Sequence, residues 1–136
     1  MTKTIPVYFD YLCPYAWRGA EFAKMIEKPL GLNFDWQHYS LYQGNYKEDD
    51  GWQLWEDAVD ADSKDGSKGL IPFLASHYVK ENMPEQYDDF RLNLQRLGHK
   101  ESQGFSLGVI KRALKATGIS EAVSYTHLTL PTIYSV

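Results

Sequence analysis

The sequence predicts an α/β fold, a βαβ unit over residues 4–41 followed by an all-helical segment over 47–118. Two alternating runs with a helical run between them predict the first part. Ile5, Val7 and Phe9 alternate with Pro6, Tyr8 and Asp10, the period-two pattern of a strand. Trp17, Ala20, Ala23 and Ile26 then recur at helical spacing. Leu32-Asn33-Phe34-Asp35-Trp36-Gln37-His38-Tyr39-Ser40-Leu41 alternates again. A second strand reached through one crossover helix is expected to lie parallel to the first.

The breakers agree with these assignments. Pro6 suits the first residue of a strand or an edge position, since it has no N–H for a ladder. Pro14 fits a first helical turn, where that N–H is not needed. Pro29 predicts that the helix stops near Lys28, because the residue before a proline avoids helical geometry.

Beyond Leu41 the period changes. Asp49 and Asp50 open a stretch with Trp52, Trp55, Ala58 and Val59 on one face, and their charges complement a helix dipole. Residues 62–69 (DSKDGSKG) read as a loop. A second helix is predicted from Leu70 to Asn82, with Pro72 admissible only in its first turn. A third starts at Pro84 and carries Tyr87, Phe90, Leu94 and Leu97 on one face before Gly98. A fourth starts near Ser106 with Val109, Ile110, Ala113 and Leu114, and Gly118 followed by Ile119 reads as its stop. These stripes are core positions.

Composition narrows the function. The chain has 136 residues and a net charge of −4, with no basic stripe, so nucleic acid is not an expected partner. A single cysteine excludes an internal disulfide and a thiolate metal cage. His38, His77, His99 and His127 lack ligand spacing, so no metal is expected. No glycine-rich phosphate loop or nucleophile elbow occurs. No stretch is apolar for the ~20 residues of a membrane span, and no signal-like run precedes Asp10, so a cytoplasmic location is expected.

Cys13 sits where the first strand ends and the first helix begins. A thiol at such a junction faces unpaired N–H groups and the positive end of a helix, which favour thiolate, the nucleophilic form. The competing reading is a small buried hydrophobe. Asp10 also has two readings: a proton acceptor for the thiol, or, more commonly, a strand-end carboxylate bonding local backbone donors.

Tyr8-Phe9-Asp10 followed by Cys13-Pro14-Tyr15-Ala16-Trp17 resembles the DsbA family of thioredoxin-fold proteins. The resemblance covers about residues 4–122 and implies a thioredoxin-like fold with an all-helical insertion after its first βαβ unit. It implies a thiol-disulfide oxidoreductase in which Cys13 is the catalytic nucleophile and Pro14, Tyr15 and Ala16 shape the site. Two departures stand out. Ala16 occupies the place of the second cysteine of a Cys-x-x-Cys pair, so resolution falls to an external thiol such as glutathione. The family's final strands and cis-proline loop are missing after the helices, so the domain is expected to be incomplete.

Pro14-Tyr15-Ala16-Trp17 is also similar to kappa-class glutathione transferases and 2-hydroxychromene-2-carboxylate isomerases, where a serine takes the Cys13 position. A glutathione-dependent transferase or isomerase is therefore the alternative expectation, and an inactive truncated fragment a third. All catalytic readings imply a small-molecule thiol or disulfide as partner and no bound cofactor.

Residues 123–136 stand apart. Val123 to Thr132 resembles the translation of a sequencing-adapter segment, so the native product is expected to diverge after Ala122. A native strand rich in β-formers is the competing reading.

Overall fold

The computed structural model describes residues 3–46, 54 and 59–119. Strand β1 (Lys3–Phe9), helix α1 (Pro14–Leu30) and strand β2 (Leu32–His38) form the βαβ unit, and the two strands pair in parallel from Lys3 opposite Leu32 to Phe9 opposite His38. Lys3 N–H bonds Gly31 O at 3.1 Å and Tyr39 N–H bonds Phe9 O at 2.8 Å. In a parallel ladder the N–H and C=O of one residue point the same way. Odd-numbered residues of β1 therefore face β2, and Thr4, Pro6 and Tyr8 turn their backbone outward. Among the described residues β1 pairs with β2 alone, so Pro6 places its missing donor on an open edge. The outward side of β2 is occupied instead. Trp36 O accepts hydrogen bonds from Tyr87 Oη and Lys80 Nζ, each at 2.8 Å.

Helix α1 buries Ala20 and Ala23 and half-buries Trp17 and Ile26, the stripe its spacing predicts. It does not stop at Lys28. Pro29 lies inside the last turn, where its lost N–H forfeits a single bond, and Gly31 N–H satisfies the carbonyls of Glu27 and Lys28. Strand β2 is shorter than the alternation to Leu41 predicts. It ends at His38, and a short helix α2 (Leu41–Tyr46) follows. Two side chains account for the change. Ser40 Oγ accepts the Gln43 N–H at 3.0 Å and Asp10 Oδ2 accepts the Leu41 N–H at 2.9 Å, satisfying donors that open the helix.

The helix expected over Asp49 to Val59 and the tail 123–136 lie outside the described residues, apart from buried Leu54 and exposed Val59. Residues 61–69 form turns, in agreement with the composition of 62–69. Helix α3 spans Leu70–Asn82, the range its pattern predicts, with Pro72 in the first turn. Helix α5 (Leu107–Ala116) buries Val109, Ile110, Ala113 and Leu114. Its end is a Schellman motif: Ile119 N–H bonds Leu114 O at 2.8 Å and Gly118 N–H bonds Lys115 O at 3.1 Å, around Gly118 at φ 82°. Ile119 and Leu114 are both buried, which supplies the apolar contact of that motif.

Helix α4 (Pro84–Gln95) departs from its predicted end before Gly98. It continues as a π turn over Arg96–Lys100, and Glu101 N–H bonds Arg96 O at 2.9 Å. Gly98 makes this possible because the Phe105 ring lies where a side chain would stand. Its helix face is also less apolar than expected. Arg91 and Gln95 are buried beside Phe90 and Leu94, and the Arg91 guanidinium lies 4.2 Å from the Trp36 ring centroid. The core joins Phe9 and Trp36 of the sheet to Ile71, Val79, Phe90 and Ile110 of the helices.

No described helix is long and apolar enough to cross a membrane. The close approach at Gly98 yields a prediction. Gly98→Ala should destabilise by about 1–3 kcal/mol in urea denaturation, because the new methyl displaces the Phe105 ring. Unchanged or increased stability, as in an ordinary helix interior, would contradict this packing.

Candidate functional site

Cys13 is delivered by a four-residue turn at the end of β1. Cys13 N–H bonds Asp10 O at 3.1 Å, and neither Tyr11 nor Leu12 has a positive φ, which matches the type I family of turns. The central peptide of this turn is held at both ends. Leu12 N–H donates to Asp10 Oδ1 at 3.0 Å, and Tyr11 O accepts from His99 Nε2 at 2.6 Å. A carbonyl only accepts, so Nε2 of His99 carries the hydrogen.

Asp10 is buried, and both of its oxygens serve backbone donors, those of Leu12 and Leu41. The strand-end reading of this carboxylate is the one observed. Burial raises its pKa, and the two N–H bonds oppose that rise.

Cys13 itself is half-buried and is the N-cap residue of α1, with extended backbone at φ −85° and ψ 114°. Its thiol makes no capping hydrogen bond, and its carbonyl accepts from Ala16 N–H at 3.1 Å and Trp17 N–H at 3.4 Å. Pro14 has no N–H, so Tyr15 N–H is the first donor of the helix left for a ligand of the thiol. Pro14 is exposed and Tyr15 is 81% exposed, whereas Ala16 turns inward against the core. The four predicted site residues thus share one turn but face different ways. Beyond Ala16 an apolar groove of about 360 Å³ runs between β1 and α1, lined among others by Val7, Tyr8, Phe22 and Phe34.

Distant residues surround this turn that sequence spacing did not single out. The His99 ring stacks on Trp17 at 6.2 Å and meets Phe105 edge-on at 5.0 Å. Trp17 Nε1 donates to Glu21 Oε2 at 3.0 Å, and Arg96 forms a two-pronged pair with Glu21 at 2.7 and 2.8 Å. The Arg96 guanidinium holds the Glu21 carboxyl below its usual range. The pair is largely in water, so it contributes about 0–1 kcal/mol and acts mainly as a tie between α1 and the π turn. The π turn that carries Arg96 and His99 leaves no mark in the periodicity, so no sequence signal pointed to these residues.

Beneath the turn lies a polar chain that is buried at Tyr11 and Ser76 and half-buried at His38. Tyr11 Oη and His38 Nε2 meet Ser76 Oγ at 2.5 and 2.8 Å. The rings of Phe9, Tyr11, Phe73, His77 and Tyr87 enclose His38. Burial, then repulsion from His77, Lys80 and Arg91, lowers the His38 pKa to about 3. Burial raises that of Tyr11, whose hydroxyl stays protonated. A neutral His38 accepting at Nε2 from Ser76, which in turn accepts from Tyr11, gives each of the two contacts one donor and one acceptor.

This sets a pH dependence. The unfolded chain takes up a proton at His38 near pH 6.5 and the folded one only near 3. Stability contributed by the neutral imidazole is therefore complete above 6.5 and falls by up to about 1.4 kcal/mol per pH unit on descending toward 3. Urea denaturation of wild type and His38→Gln between pH 7 and 4 should show a steeper acid loss in wild type. Parallel slopes would contradict it.

No family model matches the sequence, and no curated protein matches it.

Proposed function

We propose that this chain is a DsbA-family thiol-disulfide oxidoreductase of thioredoxin-like fold, working through the single nucleophile Cys13. The observation that carries the reading is the placement of the lone thiol. It is half-exposed, directly after the first strand of a parallel βαβ unit, and caps the crossover helix. A half-exposed sulfur in that place is reachable by a disulfide substrate.

The chemistry runs in two exchanges. The Cys13 thiolate attacks one sulfur of a disulfide R–S–S–R′, forming Cys13–S–S–R and releasing R′–S⁻. Ala16 offers no second thiol, so an external thiolate such as that of glutathione attacks the mixed disulfide. That step returns the Cys13 thiolate and leaves the external thiol joined to R. A second external thiol then releases R–SH and yields the oxidised external disulfide. Electrons pass from two external thiols to the substrate disulfide, and the protein is unchanged. Pro14, at the first helical position, stiffens the turn that carries the sulfur.

Incubation with oxidised glutathione should give one glutathione adduct on Cys13 by intact-mass spectrometry, removed by excess reduced glutathione. Cys13→Ser should show no adduct and no glutathione-dependent reduction of a small disulfide. Turnover that survives in Cys13→Ser with glutathione bound would sink the oxidoreductase reading in favour of a glutathione-dependent transferase or isomerase.

A further inference from the structure

We infer that His99 is a positioning residue for Cys13, acting through the backbone of the turn that carries the thiol. The inference rests on the oxidoreductase reading only for its functional meaning, since the geometry stands independently. The peptide joining Tyr11 to Leu12 is the central peptide of the Asp10–Cys13 turn. Rotation of a central peptide interconverts turn types and swings the residue that follows. Here the N–H of that peptide is fixed by Asp10 Oδ1 and its C=O by His99 Nε2. Asp10 is local and comes with the strand. His99 comes from the far end of α4 and holds the turn from outside.

Three features aim His99 at this task. The π turn over Arg96–Lys100 carries the ring to the Tyr11 carbonyl, and Gly98 lets Phe105 pack beneath it. Trp17 stacks on the ring from α1, one turn beyond Cys13. The Arg96–Glu21 pair ties the π turn to the same helix. The imidazole is thus packed on two sides, and its Nε2–H is spent on a single acceptor. Tyr11 is fixed at its other end by Ser76, so the turn pivots on neither its side chain nor its backbone.

The test compares two replacements. His99→Phe keeps an aromatic ring between Trp17 and Phe105 but has no donor, whereas His99→Gln restores an N–H near the Nε2 position. The readout is the rate of Cys13 alkylation by iodoacetamide at fixed pH, with thermal melts confirming the fold. His99→Phe should slow alkylation roughly tenfold, the scale of one lost hydrogen bond, and His99→Gln should recover most of the rate. A purely structural role would lower the melting temperature of His99→Phe without this rescue pattern. Equal rates in wild type and His99→Phe, or equal losses in both variants, overturn the inference.

Should His99→Phe fail to fold, nitrogen-15 NMR of wild-type histidines decides the matter. The His99 ring must be the Nε2–H tautomer, and an Nδ1–H tautomer overturns the clamp. These outcomes separate from those of the proposed reaction. Full turnover in Cys13→Ser removes the oxidoreductase reading and leaves the alkylation contrast untouched, while unaltered alkylation in His99→Phe removes the clamp and leaves turnover dependent on Cys13.

Discussion

Among the described residues the two edges of the sheet formed by β1 and β2 are treated unequally, and the remaining structure follows from that asymmetry. The outward side of β2 is closed by side chains of α3 and α4, which deliver Lys80 Nζ and Tyr87 Oη to the Trp36 carbonyl. The Trp36 ring packs edge-on against Phe9 and receives the Arg91 guanidinium over its face. A buried guanidinium is costly unless compensated; the ring quadrupole together with Gln95 Oε1 and Asp88 supplies part of that compensation, while Arg91 Nε has no hydrogen-bond partner among the described residues. Trp36 is therefore the point at which the βαβ unit and the helices become one core.

The same helices govern the turn after β1. Tyr11 is engaged by its hydroxyl to Ser76 of α3 and by its carbonyl to His99 beyond α4. Asp10 extends the restraint to α2 through Leu41. Each of these partners lies far from Cys13 in the chain, yet all act within three residues of it. A local thiol is thus oriented by long-range packing, which gives the helical segment a role beyond covering the sheet. The exchanges proposed for Cys13 need the sulfur to keep one orientation, and rigid support of this kind would supply it.

Much of this architecture was legible in the sequence. Alternation located β1 and the body of β2, helical spacing located the buried face of α1, and α3 and α5 matched because their apolar stripes are long and bounded by breakers. Failures fell where a tertiary partner outweighs a local rule. Pro29 is tolerated because it falls in a last turn, and α2 forms because Ser40 and Asp10 cap it. Arg91 and Gln95 are buried because Trp36 and each other receive them, which no hydropathy pattern encodes. For the site, Cys13 was visible from its position, and Asp10 from its proximity. His99 was not, because a contact with Tyr11 across 88 positions leaves no periodic trace.

Among the described residues Pro6 faces the unpaired side of β1, with the amides of Thr4 and Tyr8 flanking it as donors on that side. Tyr8 is 69% exposed there and Phe22 62% exposed nearby, so the surface is sticky as well as unpaired. Any chain laid alongside, whether a sister molecule or an extended peptide, meets a gap at the midpoint of its hydrogen-bond row. Open-ended fibrillar growth relies on an unbroken row repeated at every layer, and this rim denies it one rung per molecule. An imino acid in the fourth position of a seven-residue strand thereby interrupts the edge that it helps to form.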